Sequence, residues 1–278
     1  MFNKTWFITG ISSGLGLSMT RQLLLQGDRV IGTVRRHQPV QALAAAYPDA
    51  LSVLELDLSL TDSVEAVVTQ AFRDAGRIDV VVNNAGYGLF GPAEGLSAEQ
   101  IKHQIDTNLL GPVLVTRAAL PFLRQQGCGK IIAISSYGGQ TTHPGASLYH
   151  ASKWGLEGFF ESLSKEVASF GISVNIVEPG SARTAFRSRA GEQMGALPEA
   201  YRDTLLGQML SRLNDKGYTA KGAPEKMAGM ILKLAEAESA PLRLVLGSDA
   251  YAFMESALEE RLFSLREQQS LASASDSE

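Results

Sequence analysis

Residues 5–16 read "TWFITGISSGLG". An apolar run enters a turn of glycine and serine, and helix-forming residues follow up to Gln26. This spacing predicts a strand over 5–8 and a helix over 14–26. Glycine has no Cβ, so the backbone can turn tightly and a ligand can approach it closely. The unpaired N–H groups at the start of the helix then suit an anion such as a pyrophosphate. A plain glycine-rich turn would have the same composition. Its place at the first strand of an alternating chain favours nucleotide binding, although the spacing is not G-x-G-x-x-G. Gly10, Ser12, Ser13, Gly14, Leu15 and Gly16 are the candidate contacts.

Outward from this turn the chain alternates. "RVIGTV", "LSVLEL", "IDVVVN", "KIIAIS", "SVNIVE" and "LRLVLG" read as further strands. Several are apolar at nearly every residue, as parallel strands covered on both faces should be. Helical patterns occupy 61–75, 97–120, 150–169 and 222–236. The order predicts a single α/β domain over 1–268, a doubly wound Rossmann-type sheet of seven mostly parallel strands. Residues 181–221 are too long for a routine connection. Lying beyond a strand's carboxyl end, they are expected to cover a substrate, with a surface helical hairpin as the plainer alternative. Residues 249–268 read as an amphipathic helix, and the small polar tail 269–278 as disordered.

Composition narrows the function. With 25 Lys and Arg against 29 Asp and Glu, the net charge is −4 and no basic block stands out, so no nucleic-acid surface is expected. Cys128 is the only cysteine, which excludes an intramolecular disulfide and a cysteine-built metal site. The 4 histidines are scattered, and no metal is expected. No stretch reaches the length of a membrane span, and the first strand occupies the place of a signal peptide. The expectation is a soluble, cytoplasmic protein.

The remaining strand ends suggest the ligand. An NAD site usually places a carboxylate near the adenosine ribose. Here the second strand runs into Arg35 and Arg36. A guanidinium fork suits a 2′-phosphate, so NADP(H) is the expected cofactor, with NAD(H) possible. A basic, solvated strand end is the alternative. Asp57 in "LELDLS" could contact adenine or cap the next helix. Asn83 and Asn84 in "VVNNAGYG" could bond backbone near the cleft, while Ala85 and Gly86 leave room for a flat ring.

Residues 147–155 read "SLYHASKWG". Tyr149 and Lys153 stand one helical turn apart, on one face. By itself that spacing is a common accident. The motifs "TGISSGLG", "NNAG", "SS" and "YHASK", in this order, resemble the short-chain dehydrogenase/reductase family over about residues 4–247. The resemblance implies a seven-stranded Rossmann sheet and NAD(P)-dependent oxidation of alcohols or reduction of carbonyls. It implies a catalytic set of Asn108 in "DTNLLGP", Ser136 in "ISSYGG", Tyr149 and Lys153. It further implies nicotinamide contacts at Pro179, Gly180 and Thr184 in "EPGSART", and cofactor contacts from Tyr149 and Lys153. Serines in the first loop with an arginine beyond the second strand are similar to NADP(H)-dependent members, including those like 17β-hydroxysteroid dehydrogenase type 1. The basic residue sometimes found where Ser13 stands is missing.

A free phenol has a pKa of about 10, and Lys153 is expected to lower that of Tyr149 so that it can give or take a proton. Ser136 would hold the substrate oxygen, and Asn108 a water leading from Lys153 to solvent. His150 points to another helix face than Tyr149 and is expected to be structural. His143 borders the site or is an exposed loop residue. Phe90, Gln140, Thr141, Phe186 and parts of 187–213 are candidate walls of a moderately apolar pocket. The leading expectation is a carbonyl reductase or alcohol dehydrogenase, assembled as a homodimer or homotetramer through the helices at 97–120 and 150–169. A dehydratase or epimerase would need other acid–base residues. The non-catalytic alternative is an NADP(H)-binding regulatory or scaffold protein on the same fold.

Overall fold

Residues 2–214 and 219–276 are described by the structure, a computed structural model. The first half alternates β1 (Thr5–Thr9), α1 (Gly14–Gln26), β2 (Arg29–Val34), α2 (Gln41–Ala46), β3 (Leu51–Glu55), α3 (Thr61–Ala75) and β4 (Val80–Asn83). Then come α4 (Ala98–Ile105), α5 (Gly111–Gln126), β5 (Gly129–Ile134), α6 (Ser147–Val167) and β6 (Ile172–Pro179). The insertion holds α7 (Phe186–Glu192) and α8 (Leu205–Ser211). The chain closes with α9 (Pro224–Glu236), β7 (Arg243–Leu246), α10 (Ser248–Glu267) and α11 (Gln269–Ser273).

The strands form one 7-stranded sheet in the order β3-β2-β1-β4-β5-β6-β7. Every pairing is parallel. Apolar strands such as "VVVN" and "GKIIAI" bury side chains on both faces, which is why they read as continuous apolar runs. One core packs Phe7, Val81 and Ile131 under residues of α3, α5 and α6. The other packs Trp6, Ile8 and Val82 against α1 and α9. The strand order reverses between β1 and β4, so the carboxyl ends of these two strands flank the crevice where such sheets bind ligands.

Three readings change. The helix expected over 97–120 is two helices joined by a π-helical turn, Asp106–Leu110. Its first half opens with a capping box between Ser97 and Gln100, and its second half with Pro112 in the first turn. A short helix, α2, was not expected; its "QALAAA" buries no residue and carries no amphipathic signal. Five of the tail residues expected to be disordered form α11, fully exposed, and residues 277–278 lie outside the described residues. The insertion expected over 181–221 is helical in short pieces, and its residues 215–218 lie outside the described residues.

Candidate active site

The turn after β1 is held from behind. Asn84 Nδ2 donates to the carbonyls of Thr9 (2.8 Å) and Gly10 (3.1 Å). Thr9 Oγ1 accepts the N–H groups of Asn84 (2.9 Å) and Ala85 (3.0 Å). Asn84 therefore fixes the loop's shape as well as lining the cleft. Gly10 has φ +74°, and a Cβ there would stand 2.9 Å from Ala85 Cα. A Cβ on Gly16 would fall 2.5 Å from Asn84 Nδ2. Both glycines are thus required for the close packing of loop, strand and helix. Gly16 serves this packing and is not among the residues facing the cleft.

The cleft has a volume of about 950 Å³ and runs from the glycine loop to the insertion. Gly10, Ser12, Ser13, Gly14 and Leu15 line its start. Arg35, Arg36 and Asp57 stand at the ends of the next strands, and Ala85 and Gly86 beyond β4. Pro179, Gly180 and Thr184 follow β6. Asp57 caps nothing directly; its Oδ1 accepts the N–H (3.0 Å) and hydroxyl (2.7 Å) of Ser59, and its carboxyl lies below the usual range. Burial opposes that shift, while the Ser59 hydrogen bonds and the charge of Arg35 produce it. The glycine cradle, the helix N-terminus and the paired arginines fit a dinucleotide carrying an extra phosphate.

Ser136, Tyr149 and Lys153 meet at the other end of this cleft. Ser136 Oγ accepts the N–H of Gly138 at 3.0 Å, which leaves its hydroxyl proton to donate outward. Tyr149 is flanked by Phe90 and Phe186, with ring centroids 5.9 and 5.8 Å away. Lys153 Nζ donates to the carbonyl of Ile134 at 2.9 Å. Asn108 is fully buried in the π turn. Its side chain accepts the N–H of Tyr87 (3.0 Å) and donates to the Tyr87 carbonyl (2.8 Å) and Ser152 Oγ (3.3 Å). Asn108 does not line the cleft but stands behind Gly86, where an added Cβ would lie 3.2 Å from Asn108 Oδ1 and 3.7 Å from Lys153 Nζ.

The electrostatics correct one expectation. The pKa of Tyr149 is not lowered; burial pushes the phenol up to about 12, against the pull of its hydrogen bond with Ser136. Burial likewise brings Lys153 down to about 8, against the attraction of Glu157 one turn further on. Desolvation is the largest cause of both shifts.

Two wall residues are also placed elsewhere. Gln140 turns to Glu157 Oε2 (3.3 Å), and Thr141 Oγ1 donates to the Tyr137 carbonyl (3.2 Å); neither lines the cleft. Phe90 and Phe186 do line it, joined by Met209, Leu210 and Leu213 of the insertion. His150 is buried and bridges loops: Nδ1 meets the Gly138 carbonyl at 2.8 Å, and Nε2 accepts the His143 N–H at 2.9 Å. His143 lines the cleft and packs on Tyr137. Sequence reading missed Tyr87, whose backbone Asn108 holds, and Arg189, which reaches Ser13 from the insertion at 3.1 Å. The separation of 176 residues leaves no local signal for that last contact.

The chain matches the short chain dehydrogenase family over residues 4–195. It belongs to that family. Within the family, it is 37% identical to Oxidoreductase BOA17 of Botryotinia fuckeliana, over 92% of this chain and 93% of that protein. A short-chain dehydrogenase from Streptomyces avermitilis has the same fold, with a TM-score of 0.88, 35% identity and 98% of each chain covered. A metagenomic short-chain oxidoreductase in complex with NADP is similar at a TM-score of 0.69 and 28% identity, over 88% of this chain and 96% of that one. The short chain dehydrogenase match ends at residue 195, so α8 to α11 are the part of this member that the family pattern leaves open.

Proposed function

We propose that this short chain dehydrogenase is an NADP(H)-dependent oxidoreductase that interconverts an apolar ketone or aldehyde and its alcohol. The observation that carries the reading is the convergence of Ser136, Tyr149 and Lys153 on one cleft with the glycine loop and Arg35. The NADP bound by the metagenomic relative supports the cofactor, and so do the absence of a carboxylate after "GTV" and the presence of Arg35 and Arg36. These features also support the finer likeness to members similar to 17β-hydroxysteroid dehydrogenase type 1.

A dinucleotide held by the glycine loop and Arg35 would supply or accept the hydride. Tyr149 Oη gives its proton to the substrate oxygen in reduction and removes one in oxidation. Ser136, with Oγ held by Gly138, donates a hydrogen bond to the same oxygen as charge grows there. Lys153, fixed by the Ile134 carbonyl, offers its remaining N–H donors to the cofactor side and replenishes the proton. Phe90 and Phe186 shield the phenol from water and favour a flat or aliphatic substrate between them. Residues of the insertion such as Phe186, Met209, Leu210 and Leu213 would cover this end and set which substrates enter.

The test is a panel of apolar ketones and aldehydes, run separately with NADPH and NADH while dihydronicotinamide absorbance is followed. Turnover with NADPH, faster than with NADH, is the expected result. Stoichiometric cofactor binding without turnover on any member of the panel would favour the non-catalytic alternative.

A further inference from the structure

Arg189 lies on α7, the first helix of the insertion, yet its Nη1 donates to Ser13 Oγ in the glycine loop at 3.1 Å. Ser13 occupies the N-cap position of α1 in an extended conformation, and its hydroxyl makes no capping bond. A hydroxyl that could have satisfied its own helix is turned to the arginine. Ser13, Arg35 and Arg189 all line the cleft. A neutral hydroxyl is a weak partner for a guanidinium, which is always charged and carries five N–H donors in a planar fork. Among the described residues no carboxylate pairs with Arg189. A phosphate oxygen would be a far stronger acceptor.

The same helix reaches the chemical end of the cleft. Phe186, three residues before Arg189, packs edge-on against the Tyr149 ring at 5.8 Å. Just before this helix, Thr184 sits on the loop, so close that a Cβ on Gly14 would stand 3.4 Å from its Cγ2. One short segment therefore touches both the phosphate end and the proton-transfer end of the site.

We propose that Arg189 is a cofactor-phosphate ligand carried by α7, exchanging its Ser13 hydroxyl for a phosphate oxygen of the dinucleotide and so fixing α7 across the cleft. The proposal rests on the reading of the cleft as a dinucleotide site. The arginine supplies from 176 residues away the positive charge that the loop lacks at position 13. Cofactor binding would then tie down the phosphate end of the helix whose other end already carries Phe186 beside Tyr149.

Equilibrium titrations of NADPH and NADH test this on wild type, Arg189→Ala and Arg189→Lys. Loss of a charge-assisted contact should raise the NADPH dissociation constant of Arg189→Ala roughly ten- to a hundredfold. Arg189→Lys, which keeps the charge, should recover part of the loss. An NADH affinity left unchanged assigns the contact to the 2′-phosphate; an equal loss assigns it to the pyrophosphate. Hydrogen exchange over 186–192 should show cofactor-induced protection in wild type and little of it in Arg189→Ala at saturating cofactor. A purely structural latch to Ser13 would instead leave NADPH affinity unchanged or tighter, which would overturn the proposal. If Arg189→Ala does not fold, an NADPH affinity in Arg189→Lys equal to that of wild type, with equal protection of 186–192, would overturn it. Wild type that binds neither dinucleotide would contradict the cofactor reading itself.

Discussion

Tyr149 stands at an acid's end of its range, its phenol pushed up to about 12 by burial. At neutral pH it is protonated and ready to donate, so carbonyl reduction should be nearly independent of pH there. Alcohol oxidation needs the phenolate and should climb with rising pH. Steady-state kcat/KM in both directions across pH checks this; an oxidation rate that falls on the alkaline side would contradict it. At the adenosine end, Arg35→Ala should raise the NADPH dissociation constant roughly ten- to a hundredfold and leave NADH little affected. Paired titrations read the outcome, and equal weakening of both cofactors would remove Arg35 from the 2′-phosphate. The residue types of this site were legible because the ordered motifs around Ser136, Tyr149 and Lys153 resemble those of the family, the Tyr149–Lys153 spacing alone being a common accident. The direction of the Tyr149 shift was not, because desolvation depends on Phe90 and Phe186, which reach the phenol from far along the chain.

Among the elements, the π-helical turn at Asp106–Leu110 is where sequence periodicity fails and the site gains a support. A π turn is a local one-residue bulge, so the apolar pattern on either side continues and reads as a single helix. The turn aims Asn108 at Tyr87, meeting both its N–H and its carbonyl. Asn108→Ala would strand these groups in a buried place and should cost ~1–3 kcal/mol. Denaturant unfolding would show it as a lower midpoint at unchanged slope; an unchanged midpoint would contradict the bracing role. The boundaries of α1 and β2 match their sequence readings because glycine, arginine and apolar punctuation is local there. The insertion gave no such pattern. Its fold depends on long-range backbone bonds such as Gly195 N–H to the Phe90 carbonyl (2.8 Å) and Ala196 N–H to the Gly95 carbonyl (2.8 Å).

At the scale of the whole molecule, the doubly wound seven-stranded sheet was legible in the βαβ alternation, but the charges buried against β6 were not. Fully buried Glu178 on β6 lies 3.6 Å from Arg243 of β7, a guanidinium that also binds Glu157 (3.0 Å) and Glu161 (2.6 Å) of α6. Burial, reinforced by the charge of Glu157, raises Glu178 from 4.5 to about 7. The folded state thus holds this proton more tightly than the unfolded chain does. The resulting stabilisation is complete below the unfolded value and is lost as pH rises through about 7. Glu178→Gln should therefore gain thermal stability over wild type above that pH, by on the order of 1–3 kcal/mol, and the gain should vanish in acid. Melting curves across pH would show it, and a gain that is largest in acid would contradict the assignment.

All of these features serve one claim, that the cleft transfers a hydride with Tyr149 moving the proton. The most direct measurement is turnover of NADPH with an accepted carbonyl substrate, in wild type and Tyr149→Phe, under conditions where chemistry limits the rate. Only a hydroxyl is removed, so fold and NADPH affinity should persist while the rate falls ~10²–10⁴-fold. Turnover by Tyr149→Phe near the wild-type rate would contradict the account.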